Sequence, residues 1–238
     1  MFKAMILAAG QGKRLRPITN TIPKPMVSVG GQTLIGWHLQ KLKALGVDNI
    51  VVNGAYLKEV LFDYLKDGSA FGVNIIPSLE EGDGLETAGG IINALPLLGS
   101  EPFLVINGDI FLDSNYDFLK TCPDKLLTYD DKGEPNLYGH LFLTNNPAHN
   151  QKGDYAISED GLLSYGSDYT FSGFAWYHPQ AFASCAVARE PLRPYFDKWV
   201  AQGKLSASVL SAKWFDVGTV DRLNELNTYL ANHKTNYS

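Results

Sequence analysis

A short apolar run, Ala4–Leu7, ends in residues with almost no side chain: Ala8, Ala9, Gly10 and Gly12. Lys13, Arg14 and Arg16 follow at close spacing, and Lys24 comes after a polar spacer. Small residues let a bound group approach backbone N–H donors. Lysine and arginine add charge and forked donors. The combination suits a polyphosphate. Two acids behind apolar runs extend the set: Asp109 in Asn107-Gly108-Asp109 and Asp216 in Trp214-Phe215-Asp216. Either alone reads as a turn former or cap. Beside a polyphosphate loop they suit Mg2+, which takes one or two carboxylates together with phosphate oxygens.

The loop has competing readings. Gly10 and Gly12 begin a dinucleotide fingerprint, but its third glycine is replaced by Leu15, and cations occupy the stretch that should pack on the strand. A Walker loop needs Gly-Lys-Ser/Thr, and this chain has Gly12-Lys13-Arg14. A plain tight turn with solvated basic residues is the third possibility.

The elements that must position these residues alternate. The run Ala4–Leu7 reads as a strand buried on both faces. Thr33 caps a helix with Leu34, Ile35, Leu39, Leu42 and Leu45 on one side, stopped at Gly46. Residues 49–53 read as a strand, 56–65 as a helix and 73–77 as a strand; 85–95 contains a short helix begun around Thr87 and closed before Pro96, and 103–106 read as a strand followed by Asn107-Gly108-Asp109. This pattern predicts right-handed β-α-β units in a mostly parallel sheet, with ligands beyond the carboxyl ends of its strands. The later chain is less regular. Residues 115–119 read as a helical turn. Residues 126–129, 139–144, 155–157, 162–165, 170–177 and 213–217 read as strands. Helices are expected at 193–203 and, capped by Thr219, from Val220 to about His233, with 234–238 frayed.

Composition bounds the rest. The 238 residues fit a single domain of two halves, about 1–112 and about 113–238, the second of them substrate-binding. A net charge of −5 argues against a nucleic-acid or anionic-membrane partner, so the basic cluster serves a small anion. Cys122 and Cys185 read as unpaired thiols of a reducing compartment. No apolar run approaches the ~20 residues of a membrane span, and no signal segment is read. The expectation is a cytoplasmic protein, monomer or homodimer.

The string Leu7-Ala8-Ala9-Gly10-x-Gly12-x-Arg14-x-Arg16-Pro17, followed by Pro23-Lys24-Pro25, resembles the signature of sugar-1-phosphate nucleotidyltransferases. The resemblance runs from Ala4 to about Leu230. It implies an α/β Rossmann-like mixed, mostly parallel sheet flanked by helices, the nucleotide-diphospho-sugar transferase or GT-A-like fold. It also implies an enzyme that joins an NTP and a sugar 1-phosphate and releases pyrophosphate. Arg14 and Lys24 would be catalytic. Ala8, Ala9, Gly10, Gly12 and Lys13 would bind the nucleotide, and Asp109 and Asp216 would hold Mg2+.

Leu85-Glu86-Thr87-Ala88-Gly89-Gly90 is similar to the family's base-binding loop. Small residues there suit a nucleobase shelf, so Ala88 and Gly89 are expected against the base, with Glu80, preferred over Glu81, reading its edge. Asn107, Gly153, Asp154, Ser172 and Gly173 are expected to face the sugar. The family's acidic-lysine-proline element is missing; Lys152 is the cation nearest its place. Asn145-Asn146-Pro147-Ala148-His149 followed by Gly153-Asp154-Tyr155 resembles the branch that uridylates N-acetylmuramic acid 1-phosphate in cell-wall recycling. UTP is therefore the preferred nucleotide. His149 itself reads as a loop histidine. Guanylyl or thymidylyl transfer is the nearest rival. A non-catalytic nucleotide-sugar sensor and a nicotinamide-dependent oxidoreductase are more distant ones.

Overall fold

The computed structural model describes residues 2–233. In chain order the elements are β1 (Ala4–Leu7), β2 (Ser28–Val29), β3 (Gln32–Thr33), α1 (Leu34–Ala44), β4 (Asn49–Gly54), α2 (Lys58–Leu65), β5 (Asn74–Leu79), α3 (Glu86–Leu98), β6 (Phe103–Asn107) and β7 (Ile110–Leu112). There follow β8 (Gly139–Asn145), β9 (Tyr155–Ile157), β10 (Leu163–Tyr165), β11 (Tyr169–Tyr177), α4 (Arg193–Ala201), β12 (Leu205–Val209), β13 (Trp214–Asp216) and α5 (Val220–Asn232).

Strands β5, β4, β1 and β6 lie side by side, all parallel. Their side chains alternate between two covered faces. Ile6, Ile50, Val52 and Ile106 pack with α1 and α2, whereas Met5, Val51 and Val105 pack with α3 and α4. Burial on both faces is why these strands are continuously apolar in the sequence. On its other edge β6 pairs antiparallel with β11, which continues the sheet through β9 and β10 and, by a fork, through β8 and β12. The expected mixed sheet with flanking helices is present. Thr33 and Thr219 cap α1 and α5 as expected, accepting from the Gly36 and Arg222 amides.

Three expectations need correction. Residues 126–129 are not a strand. A 3-10 turn at Asp124–Leu126 precedes a single bridge between Tyr129 and Pro135, because the polar 130–133 turn leaves too few residues to pair. Helix α3 does not stop before Pro96. It continues to Leu98, where the one N–H that proline lacks lies in the last turn and Leu98 is buried. Strand β12 was not expected at all. Its Leu-Ser-Ala-Ser-Val is weakly apolar, yet Leu205 and Ala207 face the core beside β8. The expectation for 234–238 lies outside the described residues.

A third, smaller core positions the site. Leu15, Val27, Val29, Leu34, Phe111, Phe215, Val217, Leu223 and Leu226 pack together. Leu15 is fully buried there, and burying such a side chain is worth about 1.5–3 kcal/mol. The residue that breaks the dinucleotide fingerprint is thus the peg that fastens the glycine loop to β7, β13 and α5.

Candidate active site

The glycine loop forms the wall of a cavity of about 460 Å³ at the carboxyl ends of β1, β4 and β6. Ala8, Ala9, Gly10, Gly12, Lys13 and Lys24 line it as expected, together with Asn107 and Asp109. Gly12 has φ +61, and a Cβ there would come within 2.9 Å of Thr19 and 3.2 Å of Lys24, so a side chain would be strained in backbone and in space. Lys24 is ion-paired with Asp109 inside the cavity.

Strand order explains how acids 107 positions apart become neighbours. Asp216 ends β13, which pairs antiparallel with β7 opposite Ile110, and the Val217 amide donates to the Asp109 carbonyl at 2.8 Å. The Asp216 carboxylate accepts from Arg222 Nη1 at 3.0 Å and lies 2.9 Å from His149 Nε2. It opens onto a second cavity of about 510 Å³, lined among others by Asn145, Asn146, His149, Lys213, Trp214 and Arg222. Arg14 does not line the first cavity; its Nη2 comes within 3.1 Å of a Cβ built on Gly218, beside Arg222. Two guanidinium groups therefore flank the loop that follows Asp216. His149, read as a bare loop residue, contacts an acid expected to hold metal.

Several of the expected residues are engaged within the protein or lie off the first cavity. Glu80 is buried, and both its oxygens are committed: Oε1 accepts from Asn53 Nδ2 at 2.6 Å and Oε2 from the Leu85 amide at 2.7 Å. Asn53 Oδ1 in turn accepts from the Ala8 amide at 2.6 Å. Glu80 is thus a brace joining the glycine loop to the start of α3. Ala88 and Gly89 do not line the cavity, because their amides donate to the Glu190 carbonyl and the segment holding Glu190 covers them. Gly84, Glu86 and Thr87 line it instead.

On the sugar side, Gly153, Asp154, Ser172 and Gly173 line neither cavity. Asp154 accepts from Asn150 Nδ2 and the Phe171 amide, both at 3.1 Å. Ser172 donates to the Phe142 carbonyl at 2.6 Å. Gly173, with φ +86, sits in the bulge of β11 against Asn107. Of these four, Gly173 is the one that meets Asn107. Sequence reasoning missed Asn53, Asp83, Thr87 and Arg189 as lining residues. Asn53 could have been found by the strand-end rule that singled out Asp109; Arg189 carried no local signal.

Known proteins match this arrangement. The Nucleotidyl transferase family matches residues 3–124. An N-acetylmuramate alpha-1-phosphate uridylyltransferase of Neisseria meningitidis serogroup B is 44% identical over 228 residues, covering 94% of this chain and 96% of that relative. A relative of the same name from Caulobacter vibrioides is 31% identical, covering 90% and 91%. A solved Bacillus anthracis structure, provisionally assigned as a glucose-1-phosphate thymidylyltransferase, superposes with a TM-score of 0.83 at 19% identity, covering 98% of this chain and 97% of that one, and supports the fold. With its glycine loop, Lys24 and Asp109 gathered in one cavity and 94% of its length matched by a relative 44% identical, the chain belongs to the nucleotidyl transferase family, as a sugar-1-phosphate nucleotidyltransferase.

Proposed function

We propose that the enzyme transfers a uridylyl group from UTP to N-acetylmuramic acid 1-phosphate, giving UDP-N-acetylmuramic acid and pyrophosphate in cell-wall recycling in the cytoplasm. The observation that carries the phosphate chemistry is the meeting of the glycine loop with the Lys24–Asp109 pair in one cavity. The near full-length similarity to two uridylyltransferases of that name supports the choice of base and sugar.

A phosphate oxygen of the sugar 1-phosphate attacks the α-phosphorus of UTP. The new P–O bond forms as the bond to the bridging oxygen breaks, and pyrophosphate leaves with that electron pair. With a second pKa near about 6, the attacking phosphate is already anionic at neutral pH, so no general base is needed. The protein brings two repelling anions together and offsets charge in the transition state. Lys13 and Lys24 face the triphosphate, the loop amides other than that of Ala8 remain for phosphate oxygens, and Arg14 stands with Arg222 beside Gly218. Asp109 and Asp216 fit Mg2+: both are hard carboxylate donors, and a backbone hydrogen bond joins their strands. When bound, the ion supplies positive charge to the phosphate oxygens. The second cavity, bordered by Asp216, is the room available for the sugar.

The test is pyrophosphate release from a matrix of nucleoside triphosphates and sugar 1-phosphates with Mg2+. Turnover confined to UTP with N-acetylmuramic acid 1-phosphate is expected. Preference for GTP with mannose 1-phosphate would overturn the substrate assignment.

A further inference from the structure

Residues 183–192 run from the end of β11 toward α4 as a strap over the start of α3. Its anchors are main-chain. The Ala88 and Gly89 amides donate to the Glu190 carbonyl at 3.0 and 3.2 Å, and the Glu190 amide donates to the Leu85 carbonyl at 3.0 Å. The Glu190 carboxylate turns aside to accept from the Tyr195 hydroxyl. What the strap delivers is Arg189. Among the described residues, it alone of those lining the first cavity comes from beyond Asp109. Its Nε lies 3.4 Å from Glu86 Oε1, and the two side chains are 61% and 44% exposed. Neither has a part in the chemistry above.

An ion pair that long and that exposed is worth little. Exchanging Glu86 for a phosphate oxygen therefore sacrifices little and gains a charge-assisted, forked contact. The first cavity already gathers Lys13 and Lys24 around the loop, and a third cation completes an anion-binding rim. We infer that Arg189, brought over from the C-terminal half of the chain, is a nucleotide-holding residue that leaves its resting partner Glu86 to grip the nucleoside triphosphate. This rests on the functional reading above and extends it to the closing wall of the same site.

The strap's main-chain anchors allow a clean test, because Arg189→Ala leaves them in place. UTP binding is measured by calorimetry for the wild type, Arg189→Ala and Glu86→Gln, with thermal midpoints as a control on folding and steady-state kinetics alongside. Arg189→Ala is expected to weaken UTP binding and raise KM for UTP about tenfold, the usual size of one lost charge-assisted bond. The KM for the sugar phosphate and kcat at saturating UTP stay within about twofold. Glu86→Gln, which removes only the competitor, binds UTP as tightly as the wild type or more tightly. Unchanged UTP affinity in Arg189→Ala, or equal weakening in both variants, overturns the inference while leaving the function standing. A wild-type protein that binds no nucleoside triphosphate overturns both.

Discussion

Lys24 and Asp109 stand 85 positions apart and form an ion pair inside the first cavity. The Lys24 side chain is only 13% exposed and that of Asp109 32%. The pair is thus largely withdrawn from water, where a charge acts strongly on a developing transition state. Lys24→Ala and Asp109→Asn are each expected to lower kcat by roughly 10²–10³ or more, with the fold retained and the thermal midpoint lowered by the charge left unpaired. Pyrophosphate release and a melting curve check both halves. A folded double variant with full activity would remove Lys24 and Asp109 from the mechanism.

The proposed Mg2+ site rests on Asp109 and on Asp216, which pairs with Ile110, the neighbour of Asp109, across β7 and β13. Chelation is expected to abolish turnover, and added Mg2+ to restore it. Asp216→Asn should raise the Mg2+ concentration for half-maximal rate about 10- to 100-fold, by loss of one carboxylate donor. Undiminished activity in excess chelator would contradict the assignment.

Gly89 offers a stability test whose sign is diagnostic. In an ordinary helix interior, glycine to alanine gains up to about 1 kcal/mol. Here a Cβ would lie 2.0 Å from the Ala188 carbonyl oxygen, so the strap must lift. Gly89→Ala is expected to destabilise by about 1–3 kcal/mol, read as a shift in urea midpoint. A stabilised variant would show that the strap does not dock on α3.

His38 carries a pH dependence remote from the chemistry. It is buried on α1, with Nδ1 2.6 Å from the Tyr116 hydroxyl. Burial, and then the neighbouring Lys41 cation, hold its pKa down to about 3, against 6.5 when unfolded. The unfolded chain therefore binds the extra proton first. Stability from this residue is whole above pH 6.5 and falls progressively toward pH 3, at about 1.4 kcal/mol per unit. Between pH 7 and 4.5 the wild type should lose about 2 kcal/mol more than His38→Gln, compared through urea midpoints. Equal losses would show that His38 takes up its proton in the folded state.

Much of this was legible in the residues themselves. The glycine loop and Asp109 lie at the ends of β1 and β6, where the strand-end rule looks, and Lys24 stood out by its charge and its Pro23-Lys24-Pro25 setting. Glu80, Ala88 and Gly89 misled because their partners are distant in sequence. A buried carboxylate serving as a brace looks, in one dimension, like one reading a base. Small residues that admit a strap look like small residues that admit a nucleobase. The hydrogen bonds that Asp154 and Ser172 make to Phe171 and Phe142 were not legible either, since they depend on strand register. Arg189 was silent because only the docking of residues 183–192 gives it a neighbour in the site.

The junction of β6 with β11 has a mechanical corollary. One hydrogen-bonded sheet joins β4, β1 and β6, whose carboxyl ends border the first cavity, to β11 and β8, which holds these strands in fixed register. Around the first cavity, the segments that lie off this sheet are the Gly10 loop and the strap that carries Arg189. Turnover should therefore respond to shortening or stiffening the turns around Gly10 and Ala188 long before it responds to changes in the sheet's own rigidity.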